Sequence, residues 1–236
     1  MIAGVGAVLP QFLALVVLLA AAYVPLGNWI ARSYTSDKDW AIERAVYKVL
    51  RVDPNRGHNS KNYSRALLGF SLASVLVLYE ETLSNGAQML GLTVQNFASA
   101  AVGMCVAVAL IRGIGHLGYG RDKLGTESGQ HLIGNFWVDL TRGLVRILLP
   151  LSLLISFVLI LGGTMQTFGS NLVSSAGVDI PRAPVASQEA IKLLGTNVGG
   201  IFGANSAHPF ENPTGFTNLV EIFSLLVISF CFIRAY

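Results

Sequence analysis

The stretch Gly195–Glu211, "GTNVGGIFGANSAHPFE", lies between two apolar segments and carries more glycine, asparagine and small polar residues than an ordinary turn requires. Just upstream, "APVASQEAIKLLG" (Ala183–Gly195) offers Pro184 and Ser187 as helix-entry signals, with Ser187 capping the first turn. Gln188–Leu194 is a short helix former, and Gly195 is a stop. A helix of about eight residues covers about 12 Å, less than half of a hydrocarbon core roughly 30 Å thick. It cannot span. It can enter and return if the non-helical backbone is buried in protein or lines a water-filled cavity, because lipid offers no hydrogen-bond partner. In "TNVGG" (Thr196–Gly200) the glycines reach cheaply the conformations that turn successive carbonyls toward one axis. Carbonyls aligned in this way replace the water shell of a monovalent cation, and the negative end of the short helix points at the same spot. Two readings follow: a re-entrant ion filter over 187–205, or a glycine-rich external loop with no ligand.

The rest of the composition is that of a membrane protein. Hydrophobic residues make up 53% of the 236 positions and charged residues 12%, against about a quarter charged in a soluble domain. Four uncharged or nearly uncharged runs have spanning length: 8–31, 89–111, 145–163 and 216–233. A fifth, "ALLGFSLASVLVLY" (66–79), reaches only about 21 Å at 1.5 Å per residue, too short to cross comfortably. The first run lacks a basic n-region and outruns a signal-peptide core, so it reads as a retained span. The fold class predicted is an all-α membrane protein, a multi-span helical bundle in one domain over 1–236.

Fourteen of the sixteen Lys and Arg residues lie in 32–65, in 112–146 or at Arg234; the other two are Arg182 and Lys192. Basic residues resist translocation, which places those loops in the cytoplasm and 164–214 outside, with the N-terminus outside if the short run crosses. The net charge of +3 then belongs to loops on an anionic leaflet. No basic patch interleaved with aromatics accompanies it, so nucleic acid is not an expected partner, whereas membrane lipid is. "DWAIERAVYKVL" (Asp39–Leu50) has its apolar residues near helical spacing. It predicts an amphipathic helix, lying either on the membrane surface or on the protein's own cytoplasmic face. "GHLGYGRDKLGTESGQ" (Gly115–Gln130) reads as a flexible glycine-rich loop.

Cys105 and Cys231 sit in apolar runs as small buried hydrophobes, and His58, His116, His131 and His208 have no ligand spacing, which argues against a metal enzyme. After the filter candidate, "NSAHPFENPT" (Asn205–Thr214) leads into the last span. There His208 and Glu211 are expected either to pair and hold the mouth of the loop or to titrate as a gate, and Pro213 suits the first turn of the next helix. Glu221, about two turns into the last span, is expected to be exposed at the interface, with a functional carboxylate as the other reading, and Gln95 and Asn96 are expected to hydrogen-bond between helices.

"PVASQEAIKLLGTN", the following "GG" and "ANSAHPFENPT", together with "GLTVQNFASAAVG" (Gly91–Gly103) and "IGNFWVDLTRGLVRILLP" (Ile133–Pro150), resemble the KdpA family from about Leu13 onward. These are potassium-binding subunits of the bacterial Kdp potassium pump. The resemblance implies a potassium-channel-like architecture of four repeats, each of helix, re-entrant loop and helix, around one filter in the inner membrane. External K+ is then bound and passed to a P-type ATPase catalytic subunit, with accessory subunits completing the complex. It further implies that the backbone carbonyls of Thr196, Asn197, Val198, Gly199 and Gly200 face K+, and that Asn205, His208 and Glu211 support the filter loop. No P-loop occurs in the chain, as expected of a subunit that does not itself hydrolyse ATP.

The chain departs from the pattern in three places. The third and fourth repeats have no counterpart before Tyr236. "LVLYEETLSNGAQM" (Leu76–Met89) reads as a junction where family members carry the rest of the second span, an external loop and the first filter loop. Val198 stands where the family usually has glycine, which bears on selectivity because a β-branched residue resists positive φ; Ile201 and Gly203 differ from the usual Phe and Asn. A shortened, non-functional remnant and a secondary ion transporter with a broken helix are the alternative readings, the latter requiring a second interrupted segment that the sequence does not show.

Overall fold

A computed structural model describes residues 3–79, 85–118, 132–173, 177, 179–197, 199–200 and 202–235. Val198, Ile201 and most of the glycine-rich loop 115–130 lie outside the described residues. The chain order is α1 (Ala3–Thr35), α2 (Ala41–Leu50), α3 (Ser60–Tyr79), α4 (Asn85–Gly118), α5 (Phe136–Arg142), a π-helical segment (Gly143–Leu148), α6 (Leu149–Leu161), a short hairpin β1 (Leu172–Val173) and β2 (Asp179–Ile180), α7 (Val185–Leu194) and α8 (Gly215–Ala235). The hairpin is antiparallel, with Leu172 opposite Ile180 and Val173 opposite Asp179. Among the described residues, four helical stretches are long and apolar enough to cross a membrane: Val8–Thr35, Gly91–Gly115, Phe136–Leu161 and Gly215–Ala235. The architecture is that of an all-α membrane protein. Leu9, Phe12, Leu68, Leu153 and Phe157 are exposed on its outside, as side chains facing lipid are.

The helical stretch long and apolar enough to cross begins at Phe136, whereas the apolar run predicted from composition begins at Val145. Three charges, Asp139, Arg142 and Arg146, cut the apolar run, yet each is buried and paired: Arg112 with Asp139 at 2.7 Å, Arg142 with Asp39 at 2.9 Å, and Arg146 with Glu43 at 2.5 Å. Paired charges with satisfied hydrogen bonds are tolerated where lone ones are not. Asn135 caps α5, its Oδ1 accepting from Trp137 N, while its Nδ2 donates to the carbonyls of Asp53 and Arg56. The short run also lengthens. Asn59 Oδ1 accepts from Asn62 N at 2.9 Å and starts α3 six residues before Ala66, although the added turn and a half is polar.

α1 and α8 pack along their lengths. Tyr23 and Phe230 rings lie 5.1 Å apart, and an added Cβ on Gly27 would meet Arg234 Cγ at 2.6 Å, so glycine allows the close approach there. α2 lies on the end of α5 and on the π segment through buried Glu43 and Tyr47, while Ile42 and Val49 remain exposed. The core, including Ile30, Met104, Cys105, Phe136, Ile147 and Leu194, is where α1, α4, α5, the π segment and α7 meet. These contacts give the molecule two ends. One gathers the C-termini of α1, α4 and α8 with α2 and the start of α5. The other gathers the end of α6, the hairpin, the start of α7 and the start of α8. There Gln11 Nε2 donates to Gly215 O, and Met165 N donates to Phe210 O.

A candidate cation site at the end of α7

α7 begins at Val185 with Pro184 as its N-cap, so Ser187 is not the cap predicted from the sequence. Ser187 lies inside the first turn and exchanges two hydrogen bonds with Gln166, which fixes the helix start against the segment leaving α6. The C-terminal end is a Schellman closure: Thr196 N donates to Leu193 O and Asn197 N to Lys192 O, both at 3.0 Å. Gly195 is the C-cap, as the sequence suggests, because a Cβ there would lie 2.9 Å from Asn96 O. The left-handed residue is Thr196 at φ +51°, where glycine is the usual occupant.

The loop after α7 is held on two sides. Toward α4, Asn197 Nδ2 donates to Asn96 O at 3.2 Å and to Ser99 Oγ at 2.9 Å. On the other side the side chain of Lys192, 0% exposed, reaches the loop, and its Nζ donates to Gly199 O at 3.0 Å and to Glu189 Oε1 at 2.5 Å. Glu211 Oε1 stands 3.9 Å from the same nitrogen. Gly199 and Gly200 take φ of +112° and +141°, and a Cβ on Gly200 would meet Glu211 Oε1 at 2.7 Å. Of the carbonyls expected to face a cation, that of Gly199 accepts from Lys192 and that of Gly200 accepts from Gly203 N. Those of Thr196 and Asn197 accept nothing from the described residues; that of Val198 lies outside them.

The second half of the quoted stretch folds behind the first. Asn205 and Ser206 are both left-handed, at φ +47° and +69°. Ser206 Oγ donates to Glu189 Oε2 at 2.7 Å. The His208 and Glu211 side chains do not pair: the imidazole stacks on Phe202 at 4.0 Å and 6°, and its Nδ1 accepts from Phe210 N. The Glu211 carboxylate instead receives His208 N at 3.3 Å and faces Lys192. Glu221 is 4% exposed rather than interfacial, and its Oε1 finds no hydrogen-bond partner among the described residues. Asn96 bridges to the loop through its carbonyl, whereas Gln95 is exposed. Sequence reasoning missed Glu189 and Lys192. The available signal was two charges three residues apart in a segment read as intramembrane, where an ionisable group is expensive.

Beneath the C-terminus of α7 lies a cavity of about 370 Å³ between α4 and α8, lined by Ser99, Gly103, Met104, Leu194, Thr196 and Ser229 among others. The helix dipole presents its negative end there, so a cation is the charge this geometry favours. Among the described residues no group of three or more His, Cys, Asp or Glu is placed to hold a metal ion.

Fold and site thus define a polytopic helical membrane protein with a short buried helix aimed at a cation-favouring cavity. The family model described as "Potassium-transporting ATPase A subunit", KdpA, matches residues 13–80 and 79–236, and the chain belongs to that family. The two matched segments meet at the junction read in Leu76–Met89. Among its relatives are proteins named potassium-transporting ATPase potassium-binding subunit. That of Rhodococcus erythropolis is 43% identical over 92% of this chain and 45% of its own length. Those of Nocardia farcinica and Kineococcus radiotolerans are each 42% identical, over 96% and 98% of this chain and 46% and 48% of theirs. The chain spans about half the length of the curated relatives it matches.

Proposed function

We propose that this chain supplies part of the potassium pathway of an ATP-driven uptake system in the bacterial inner membrane. α7 and the loop to Thr214 form a re-entrant pore helix and filter loop, entered from outside the cell. K+ is the transported ion, held by backbone carbonyls of the Thr196–Gly200 loop and handed through the membrane toward a P-type ATPase catalytic subunit that hydrolyses ATP, with accessory subunits alongside. The observation that carries the reading is the Schellman-closed end of α7, which points its negative pole at the cavity while the loop's glycines hold positive φ. The names of the relatives, which are potassium-binding subunits of a transporting ATPase, agree with it.

Affinity purification of the tagged chain from its native membrane tests this. A P-type ATPase catalytic subunit is expected to co-purify, and the complex is expected to show ATP hydrolysis stimulated by K+ and not by Na+. Recovery of the chain with no ATPase subunit, or with hydrolysis indifferent to K+, would overturn the assignment.

A further inference from the structure

Lys192 stands out among the charges of this molecule. It is fully buried, in a helix of ten residues, with its ammonium placed against the loop that follows that helix. A buried ammonium needs its donors satisfied. Glu189 Oε1 at 2.5 Å accepts one hydrogen bond, and Gly199 O at 3.0 Å accepts another. The surroundings hold this ammonium in turn. Ser206 Oγ fixes the second oxygen of Glu189, His208 N fixes Glu211, and Glu211 Oε1 lies between Lys192 and Gly200, where a Cβ would collide with it. α7, the loop 199–200 and the turn 205–211 are thereby joined at one nitrogen. A carbonyl that accepts from an ammonium is turned toward that positive charge and away from a second cation on the opposite side of the loop.

We propose that Lys192 is a positioning residue of the filter loop. Its ammonium acts as a tethered internal cation that holds the Gly199 carbonyl from behind, so the conformation of Gly199 and Gly200, and the choice of carbonyls left for a transported ion, are set by a side chain that never touches that ion. The link to ion choice rests on the potassium reading above; the tether itself does not. Glu189 and Glu211 are its counter-charges, and Gly200 is glycine because Glu211 fills the place of its side chain.

The experiment compares wild type with Lys192→Met, which keeps length and loses the charge, and with Lys192→Gln, which stays polar and is too short to reach Gly199. Hydrogen exchange of the purified full chain in detergent with choline as the only added cation reads the tether without any transported ion. The amides of Asn197 and Gly203, which close the loop locally, are expected to exchange about tenfold to a hundredfold faster in both variants, the factor for losing one hydrogen bond to a charged group. The α4 and α8 amides should be unchanged. If exchange at Asn197 and Gly203 stays at the wild-type rate in the variant that retains wild-type helicity, the tether is overturned. The second arm measures ATP hydrolysis by the co-purified complex. The half-saturating K+ concentration is expected to rise about tenfold and discrimination against Na+ to fall, with the maximal rate within twofold; an unchanged half-saturation and discrimination would overturn the role in ion choice. Faster exchange together with a wild-type complex that ignores K+ would support the tether and count against the potassium reading alone.

Discussion

Thr196 takes φ +51° and Gly200 φ +141°, two residues of one loop under unequal constraint. For threonine the left-handed conformation costs about 1–2 kcal/mol relative to a right-handed one, and the Schellman bonds to Leu193 and Lys192 offset it. Gly200 faces both a conformation that side chains rarely adopt and the Glu211 oxygen 2.7 Å from where a Cβ would stand. Gly200→Ala is therefore expected to destabilise the chain by about 1–3 kcal/mol, read as a lower thermal midpoint in detergent. Thr196→Gly should stay within about 1 kcal/mol of wild type, because relief of strain is balanced by the greater freedom of glycine in the unfolded chain. Equal midpoints for Gly200→Ala and wild type would show that Glu211 moves aside easily, and the packing behind the loop would then be looser than the geometry states. What the sequence disclosed at this scale was the need for unusual backbone in 195–206. Which residue adopts it was not legible, since glycine is the usual occupant of a Schellman closure and here Thr196 takes it, while Asn205 and Ser206 take it in the turn closed by Ala207 N on Ala204 O.

At the scale of elements, a buried ion pair joins α2 to the long α5–π–α6 stretch. Arg146 Nε and Nη2 both reach the Glu43 carboxylate at 2.5 Å, Nη2 also donates to Lys38 O, and the guanidinium carbon lies 5.2 Å from the Trp40 ring centroid. The same carboxylate accepts from Trp40 N at 2.7 Å and so closes the first turn of α2. Glu43→Ala leaves Arg146 buried and unpaired and is expected to cost about 3–5 kcal/mol, whereas Glu43→Ala with Arg146→Met should recover most of that loss. Chemical unfolding of the two variants checks this, and a single-variant loss below about 1 kcal/mol would mean that water reaches the guanidinium. The pair also explains why the helices were only partly readable. Asp139, Arg142 and Arg146 end any apolar window, and their partners lie 27, 103 and 103 residues away in the chain. That neutralisation is tertiary, and only the stretch from Val145 onward looks like a span from composition. α8 carries no such pair within its apolar run, and its predicted limits, 216–233, fall within two residues of Gly215–Ala235.

Across the whole molecule the two ends differ in charge. The end that gathers α2, the start of α3 and the C-termini of α1, α4 and α8 carries Arg44, Lys48, Arg51, Lys61, Arg112 and Arg234, while the opposite end, with the hairpin and the start of α7, carries Arg182. Arg182 is bound to its own loop, its Nε donating to Ser170 O at 2.7 Å. Basic residues in short loops stay on the cytoplasmic side, so the fold predicts that the filter candidate opens outward. Cysteines placed at Lys48 and at Ser170, both exposed, test this in a Cys105→Ser, Cys231→Ser background, where the two buried native thiols are removed. An impermeant maleimide applied to intact cells should label Ser170→Cys and leave Lys48→Cys unlabelled until the membrane is permeabilised. The reverse pattern would invert the molecule, placing the mouth of the loop at Asn205–Thr214 on the cytoplasmic side. Labelling of both sites in intact cells would show that the charge difference between the ends does not set a single orientation.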